Sequence, residues 1–224
     1  MSSSKLKRGI VSTAAIVVGV GLLAACGAND AQEGDSDTLV IALLLPESST
    51  TRYEAFDKPL FEAKVQDVCG DECEVVYFNA DQDEAKQTQQ VDSAISQDAD
   101  VIVLDPVNGA GAGGMVRTAQ ESGAEVIAYD RFIEGADYYL SFDNETVGRM
   151  QGEALVEATG GTGGVLMLNG APSDPNAAQF KAGAHEAIDA SGLEVLAEYD
   201  NPDWSPDNAR TWTTDQLARF DAGD

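Results

Sequence analysis

The feature that most constrains this chain is a repeating alternation of short apolar runs and stretches with helical spacing. Apolar runs stand at Leu39–Leu45, Glu74–Phe78 and Val101–Leu104, and each is followed by a helical pattern. Val126–Tyr129 and Tyr138–Phe142 then come in succession. Strands that alternate with helices predict a parallel sheet, because a parallel neighbour is reached only through a long crossover. Leu39–Leu45 is apolar throughout, the pattern of a strand buried on both faces. Pro46 ends it, and Thr51 with Glu54 reads as a capping box that starts a helix at Arg52 and carries it to about Val68. Further helices are expected over Asp83–Gln97, Ala110–Ser122 and Glu145–Ala158. The run Gly160-Gly161-Thr162-Gly163-Gly164 marks a change of unit. Beyond it the pattern gives a strand at Gly164–Leu168, a helix at Asn176–Ser191 and a strand at Leu193–Tyr199. A helix capped by Ser205, with Pro206 in its first turn, runs to near Gly223. The expectation is an α/β protein with two doubly wound parallel sheets. The second holds only two strands and is incomplete, since two parallel strands leave edges and faces poorly covered.

The first 37 residues follow a different logic. Lys5, Lys7 and Arg8 make a positive start, and the 16 residues from Ile10 to Ala25 carry no charge. That is short for a membrane span, which needs about 20 residues, and reads as a secretory signal. Leu23-Ala24-Ala25-Cys26 is similar to a bacterial lipobox, in which Cys26 is lipidated and becomes the mature N-terminus. The expected organisation is a lipoprotein signal peptide at 1–25, an acidic tether at 26–37, a first lobe at 38–143 and a partial second lobe at 144–224. An exported chain leaves Cys69 and Cys73 free to pair as a disulfide.

Net charge is −26, and the signal holds three of the thirteen basic residues and no acidic one. Removing it takes the charge to about −29, which argues against nucleic acid or anionic lipid as a partner.

Chemistry concentrates at the strand ends. All strands of a parallel sheet point the same way, and ligands of open α/β sheets bind at the carboxyl ends. Arg52 follows the first strand, Asp105 and Asn108 the third, Asp130-Arg131 the fourth and Asp143-Asn144 the fifth. Asp and Asn are common caps, which accounts for Asn144 or Asp105 but poorly for Arg131 beside Asp130. Carboxylates, guanidinium and amide on one rim suit a small neutral molecule covered in hydroxyls. The aromatics Tyr53, Phe132, Phe180 and Trp204 lie near these loops. Trp204, in a loop with two prolines, suits a ligand platform.

Gly109-Ala110-Gly111-Ala112-Gly113-Gly114 fits G-x-G-x-x-G, with Asp130 at the end of the next strand. It follows the third strand rather than the first, and Asp105–Asn108 lengthens the turn. A nicotinamide-dependent oxidoreductase is therefore a weak rival, and no cofactor is expected. The lone His185 reads as an exposed mid-helix residue, and Asn144-Glu145-Thr146 as a fortuitous glycosylation sequon. No catalytic set and no metal site is expected.

The run YDR…ADYYLSFDNETVGRMQGEALV at 129–156 resembles the periplasmic xylose-binding proteins and their monosaccharide-binding relatives. ADVIVLDPVNG at 99–109, DPNAAQFKAG at 174–183 and DWSPDNA at 203–209 follow in the family's order, so the resemblance covers residue 38 to the end. It implies the type I periplasmic-binding-protein fold, with two Rossmann-like lobes that close on one sugar and hand it to the permease of an ABC importer. It also implies an extracytoplasmic place, held to the membrane by the lipid on Cys26. By this resemblance Arg52, Asp130 and Arg131 bind sugar hydroxyls, Asn176 contacts the sugar from the second lobe, and Trp204 stacks on the ring. Tyr53 and Phe180 are further contacts. Asp143 and Asn144 mark the first hinge crossing, with Asn144 beside the pocket. The family's later contacts and two further hinge crossings have no counterpart before residue 224, so the second lobe reads as truncated. Rival readings are a sugar receptor for a membrane signalling kinase and the ligand domain of a transcription regulator. Cys26 and the lack of a helix-turn-helix count against the regulator.

Overall fold

The computed structural model describes residues 38–220. The expected signal peptide, the Cys26 lipidation site and the acidic tether lie outside the described residues. Strands β1 (Leu39–Leu45), β2 (Cys73–Asn79), β3 (Val101–Leu104), β4 (Glu125–Tyr129) and β5 (Tyr138–Leu140) form one sheet. Its order is β2-β1-β3-β4-β5, every pairing parallel. Helices α1 (Lys58–Cys69), α2 (Glu84–Ile95) and α3 (Gly113–Ser122) make the crossovers. Then follow α4 (Asn144–Thr159), β6 (Thr162–Asn169), α5 (Pro175–Asp189), β7 (Gly192–Asp200) and α6 (Pro206–Arg219). β6 and β7 pair in parallel as a separate two-stranded sheet.

The continuous apolar run of β1 is explained by cover on both faces. Successive side chains alternate, so Ala42 and Leu44 pack on one side with Val91 of α2 and Val116 of α3. Leu43 and Leu45 pack on the other with Tyr53 and Phe61. Each fully buried leucine contributes roughly 1.5–3 kcal/mol.

One local expectation is corrected. The Thr51–Glu54 capping box does not form: the helix opens with a π-helical turn, Tyr53–Asp57, whose cap makes no side-chain bond. The Glu54 carboxylate instead accepts from Asn79 Nδ2 at 3.0 Å and from the Tyr77 hydroxyl. Glu47 takes over the turn, its carboxylate accepting from the backbone N–H of Ser49 and Thr50. The glycine run at 160–164 passes straight from one element into the next. Gly160 closes α4 in the left-handed conformation at φ 69°, and β6 begins two residues later.

Helices α4 and α5 meet almost backbone to backbone. A Cβ on Gly148 would stand 2.1 Å from the carbonyl oxygen of Phe180, and one on Gly183 only 1.9 Å from that of Glu145. The contact sets the depth of Phe180, and so of one wall of the site. Sγ of Cys69 and Sγ of Cys73 are joined, tying the end of α1 to the start of β2. Among the described residues no helix is long and apolar enough to cross a membrane.

Candidate functional site

A tight turn at the end of β4 sorts two neighbouring side chains to different jobs. Asp130 takes φ 61°, the left-handed region that a side chain disfavours. Its N–H donates to Leu140 O of β5 at 2.8 Å, and Arg131 N–H folds back to Tyr129 O at 2.7 Å. Strain of this kind persists only where surrounding bonds over-determine it. Arg131 turns under the strand ends and is 2% exposed. Its Nη1 donates to Pro106 O at 2.9 Å and its Nη2 to the Tyr53 hydroxyl oxygen at 3.4 Å. Its Nε faces Asp174 Oδ2 at 3.0 Å and Asp105 Oδ1 at 3.5 Å.

Arg52 approaches from the start of the first helical turn. Its Nη2 donates to Asp130 Oδ2 at 2.6 Å, its Nε lies 3.1 Å from Asp57 Oδ2, and its guanidinium sits 4.8 Å over the Tyr53 ring. From the first turn of α5, Asn176 Nδ2 donates to Asp130 O and Oδ1, each at 3.1 Å. Trp204 Nε1 donates to Asp174 Oδ2 at 3.1 Å.

These side chains line a half-open cavity of about 190 Å³. At roughly 30 Å³ per water molecule that is room for about six waters, the scale of one small ring. Arg52, Tyr53, Asp130, Arg131, Asn144, Asn176, Phe180 and Trp204 all line it. So do Thr50, Phe142 and Asp174, to which the sequence reading gave no role. A larger cavity of about 400 Å³ shares Phe180 and Trp204 but is walled mainly by aliphatic side chains such as Leu155, Val165 and Ile188. Its one charged group, Lys181, is already paired with Glu198 and Asp200, so it offers little to orient a polar ligand.

Other expected residues fall elsewhere. Asp143 caps α4, accepting from Thr146 N–H at 3.0 Å, and is exposed. Asn144, by contrast, stays at the cavity wall, 2% exposed with Nδ2 on Ser141 Oγ at 3.3 Å, so the asparagine of the sequon is buried. Asn108 turns away from the cavity to Glu84 Oε1 at 3.0 Å. Phe132 leaves the site and packs edge-on to Tyr139. His185 is not a plainly exposed residue: its ring nitrogens lie 3.3 Å from Asp189 Oδ1 and 3.2 Å from Glu198 Oε1.

The electrostatics define what the cavity accepts. Four carboxylates, Asp57, Asp105, Asp130 and Asp174, face two guanidiniums. Burial alone would lower the pKa of Arg52 and Arg131, but the surrounding carboxylates raise both, so both stay charged. Burial pushes Asp105, which has no exposed surface, well above the usual carboxylate range against the pull of Arg131. Asp57 and Asp174 are raised for the same reason. Burial likewise lifts the Tyr129 hydroxyl to about 12, with Asp57 adding to the rise. Every cation is already matched, so an anionic ligand finds no free partner. Asn176 Oδ1 is buried and accepts no hydrogen bond, leaving an acceptor for a ligand hydroxyl. Among the described residues no group of three His, Cys, Asp or Glu is arranged to hold a metal ion.

The profile described as "Periplasmic binding protein domain" matches residues 41–223. The D-xylose-binding periplasmic protein of Escherichia coli is 33% identical over 159 residues, 68% of this chain and 47% of that protein. The multiple sugar-binding periplasmic receptor ChvE of Rhizobium radiobacter is 28% identical over 96% of this chain and 63% of its own length. An ABC transporter solute binding protein from Clostridium phytofermentans, solved with bound β-D-glucose, superposes with a TM-score of 0.73. It is 27% identical, over 83% of this chain and 62% of that one. The chain spans about half the length of the D-xylose-binding relatives it matches.

Proposed function

This chain belongs to the periplasmic binding protein family, and from that premise we propose that it carries the monosaccharide-binding site of an extracytoplasmic component of an ABC sugar importer. An aldose of the xylose type is the proposed ligand. The observation that carries this reading is the cavity itself: hydroxyl-matching polar groups and the aromatic side chains of Phe180 and Trp204 around room for one ring. Aldose hydroxyls both donate and accept, so carboxylates and guanidinium bond a neutral ligand through charge-assisted bonds. An aromatic face covers the apolar C–H side of the ring. A wrong epimer leaves one buried group unpaired, at about 1–3 kcal/mol, which gives selectivity without a chemical step. No residue is assigned a catalytic role.

In this reading residues 38–143 and 144–224 belong to two lobes, with Asp143 and Asn144 at their junction. Cys26 carries the lipid anchor, and the permease of the importer is the protein partner. Presentation of sugar to a membrane signalling kinase is the second reading, prompted by the receptor named among the relatives.

The test is a thermal-shift titration of the purified chain against aldopentoses and aldohexoses. Ligand at 100 times its Kd stabilises a binding-competent fold by about 2.7 kcal/mol. A melt that rises with one or two aldoses supports the reading. A cooperative melt that no aldose moves would sink it for this chain.

A further inference from the structure

The chain's one histidine lies in a charged network that the proposed ligand site does not use. Lys181, His185 and Asp189 recur every four residues, so they share one face of α5. Glu198 and Asp200 are two apart, so they share one face of β7. The two faces meet. Glu198 Oε1 stands 3.2 Å from His185 Nε2 and 2.9 Å from Lys181 Nζ, and it accepts from Asn169 Nδ2 of β6 at 2.8 Å. Asp200 Oδ1 stands 3.2 Å from Lys181 Nζ and accepts from Asn169 Nδ2 at 3.0 Å. The other ring nitrogen, Nδ1, lies 3.3 Å from Asp189 Oδ1. On the α4 side of α5, Arg149 pairs with Glu186 and Glu153 instead.

This geometry decides the protonation of the ring. An ionised carboxylate only accepts hydrogen bonds, and a neutral imidazole has one N–H and one lone pair. With a carboxylate oxygen at each nitrogen, a neutral ring has to turn its lone pair toward one of them. The imidazolium donates to both. Asp189, Glu198 and Asp200 together face Lys181 and the ring, so a second positive charge beside Lys181 is matched. Burial alone would lower the pKa of His185, but its bonds to Glu198 and Asp189 outweigh burial and raise it above the ordinary value. Burial alone would raise Glu198, yet bonds from Lys181, Asn169 and His185 hold it below its ordinary value.

We propose that His185 is a proton-operated clamp in the β6–β7 unit: as imidazolium it ties α5 to β7, and loss of its proton as pH rises slackens the tie. Hydrogen bonds between ionised partners are roughly twice as strong as neutral ones, so the proton matters to the bond with Glu198 as well as to that with Asp189. The apolar core under α5 is small, with Met167, Ala184 and Ile188 as its buried members, so a polar tie counts for more here than under the first sheet. α5 also carries Asn176 and Phe180 to the cavity, so the clamp steadies one of its walls. A folded-state pKa above the unfolded value of about 6.5 gives stability that is full below that value and is lost as pH rises through the folded pKa.

The test is proton–carbon NMR of the imidazole in the tag-free chain against pH, in about 0.5 M sodium chloride to screen the field of the acidic surface. With one histidine in the chain, one resonance reports it. Its midpoint should lie above about 6.5 by about half a pH unit or more. In Glu198→Gln and in Asp189→Asn the proton affinity of the ring should drop at least about twofold. Denaturant melts of wild type and His185→Gln give the second reading. The ratio of their folding equilibrium constants should be about threefold larger, or more, near pH 5.5 than near pH 9, the fold-change that half a unit implies. A wild-type midpoint at or below about 6.5 overturns the proposal. So does a raised midpoint that neither carboxylate variant lowers, which would assign the shift to net charge alone, and so does a ratio that pH leaves unmoved. If one carboxylate variant fails to fold, the other decides, and if His185→Gln fails, the titrations decide. No ligand enters any of these readings, so the clamp and the proposed function stand or fall separately.

Discussion

Trp204 occupies the space that a side chain at position 170 would need: a Cβ on Gly170 would stand 2.1 Å from Trp204 Cη2 and 2.2 Å from Cζ2. The indole is seated edge-first over a bare backbone, with its N–H on Asp174. The loop that brings it there holds both Asp203 and Trp204 in left-handed conformation, at φ 56° and 53°.

Gly170→Ala is accordingly expected to unseat the indole. The methyl also meets Ala177 Cβ at 2.8 Å, so the ring has to swing out. Aldose affinity should fall at least tenfold, and Trp204 emission should shift to the red. Far-UV circular dichroism should stay unchanged, because β6 and α5 keep their backbone bonds. Unaltered affinity would remove Trp204 from the binding surface.

The α4–α5 contact is the second point where glycine is required by close approach rather than by backbone freedom. Gly148→Ala would force a methyl to 2.7 Å from Phe180 Cα, and Gly183→Ala one to 2.6 Å from Arg149 N. Backbone cannot yield as a flexible side chain does. Overpacking of this kind costs about 1–3 kcal/mol, or roughly 2–12 °C in Tm at about 2–4 °C per kcal/mol for a domain of this size. Because Phe180 moves with the helix, sugar affinity should drop as well. Differential scanning calorimetry with a binding titration on each variant checks both effects.

The architecture was legible because it rests on period and length. A continuous apolar run such as Leu39–Leu45 has one good fate, a strand covered on both faces, and Gly and Pro punctuate the elements. The eight residues brought to one cavity were legible because parallel strand ends share a rim, and because several of them sit in motifs of the resemblance. Asp174 was not. In sequence, Asp-Pro-Asn at a helix start reads as a cap with proline in the first turn, and Asp174 does cap α5. Its second partnership, with Arg131 43 positions away, leaves no local mark. The Thr51–Glu54 pattern misled for the same reason. Glu54 meets Tyr77 and Asn79 of β2 only once the sheet has formed.

Arg131 and Asp105 should behave oppositely although they face each other at 3.5 Å. Arg131→Ala leaves Asp105 and Asp174 buried without their nearest cation, a loss of about 3–5 kcal/mol, and should abolish sugar binding. Asp105→Asn leaves Arg131 on Asp174 and Arg52 on Asp57 and Asp130, and should cost less than about 1 kcal/mol at neutral pH. The pH dependence has a definite sign. Burial raises Asp105 well above its ordinary value, so the folded protein keeps this proton to higher pH than the unfolded chain. The stability it contributes is full below the unfolded pKa of about 3.9 and is lost as pH rises through the folded pKa. In Asp105→Asn that downward trend should shrink but not vanish, because Asp57 and Asp174 are raised too. Denaturant melts at a series of pH values check this, and an unchanged trend would mean Asp105 is not its source.

Salt should stabilise the whole fold. Thirteen basic residues cannot neutralise thirty-nine acidic ones, and the net charge of −26 is spread over a small domain. Exposed pairs such as Lys64–Asp67 and Lys86–Asp81 use basic residues locally, between close neighbours in sequence, and leave the long-range repulsion in place. Self-repulsion of a net charge this far from zero disfavours the compact state. Its reach is about 30 Å at 0.01 M salt and about 3 Å at 1 M, so raising sodium chloride across that range screens repulsion over the whole molecule. The short buried pairs around Arg131 are affected much less. Tm should therefore rise by several degrees, with most of the gain below about 0.2 M, where the screening length falls below the spacing of surface charges. A Tm that falls with salt would mean that favourable ion pairs outweigh the repulsion, and that the acidic surface is balanced locally rather than merely tolerated.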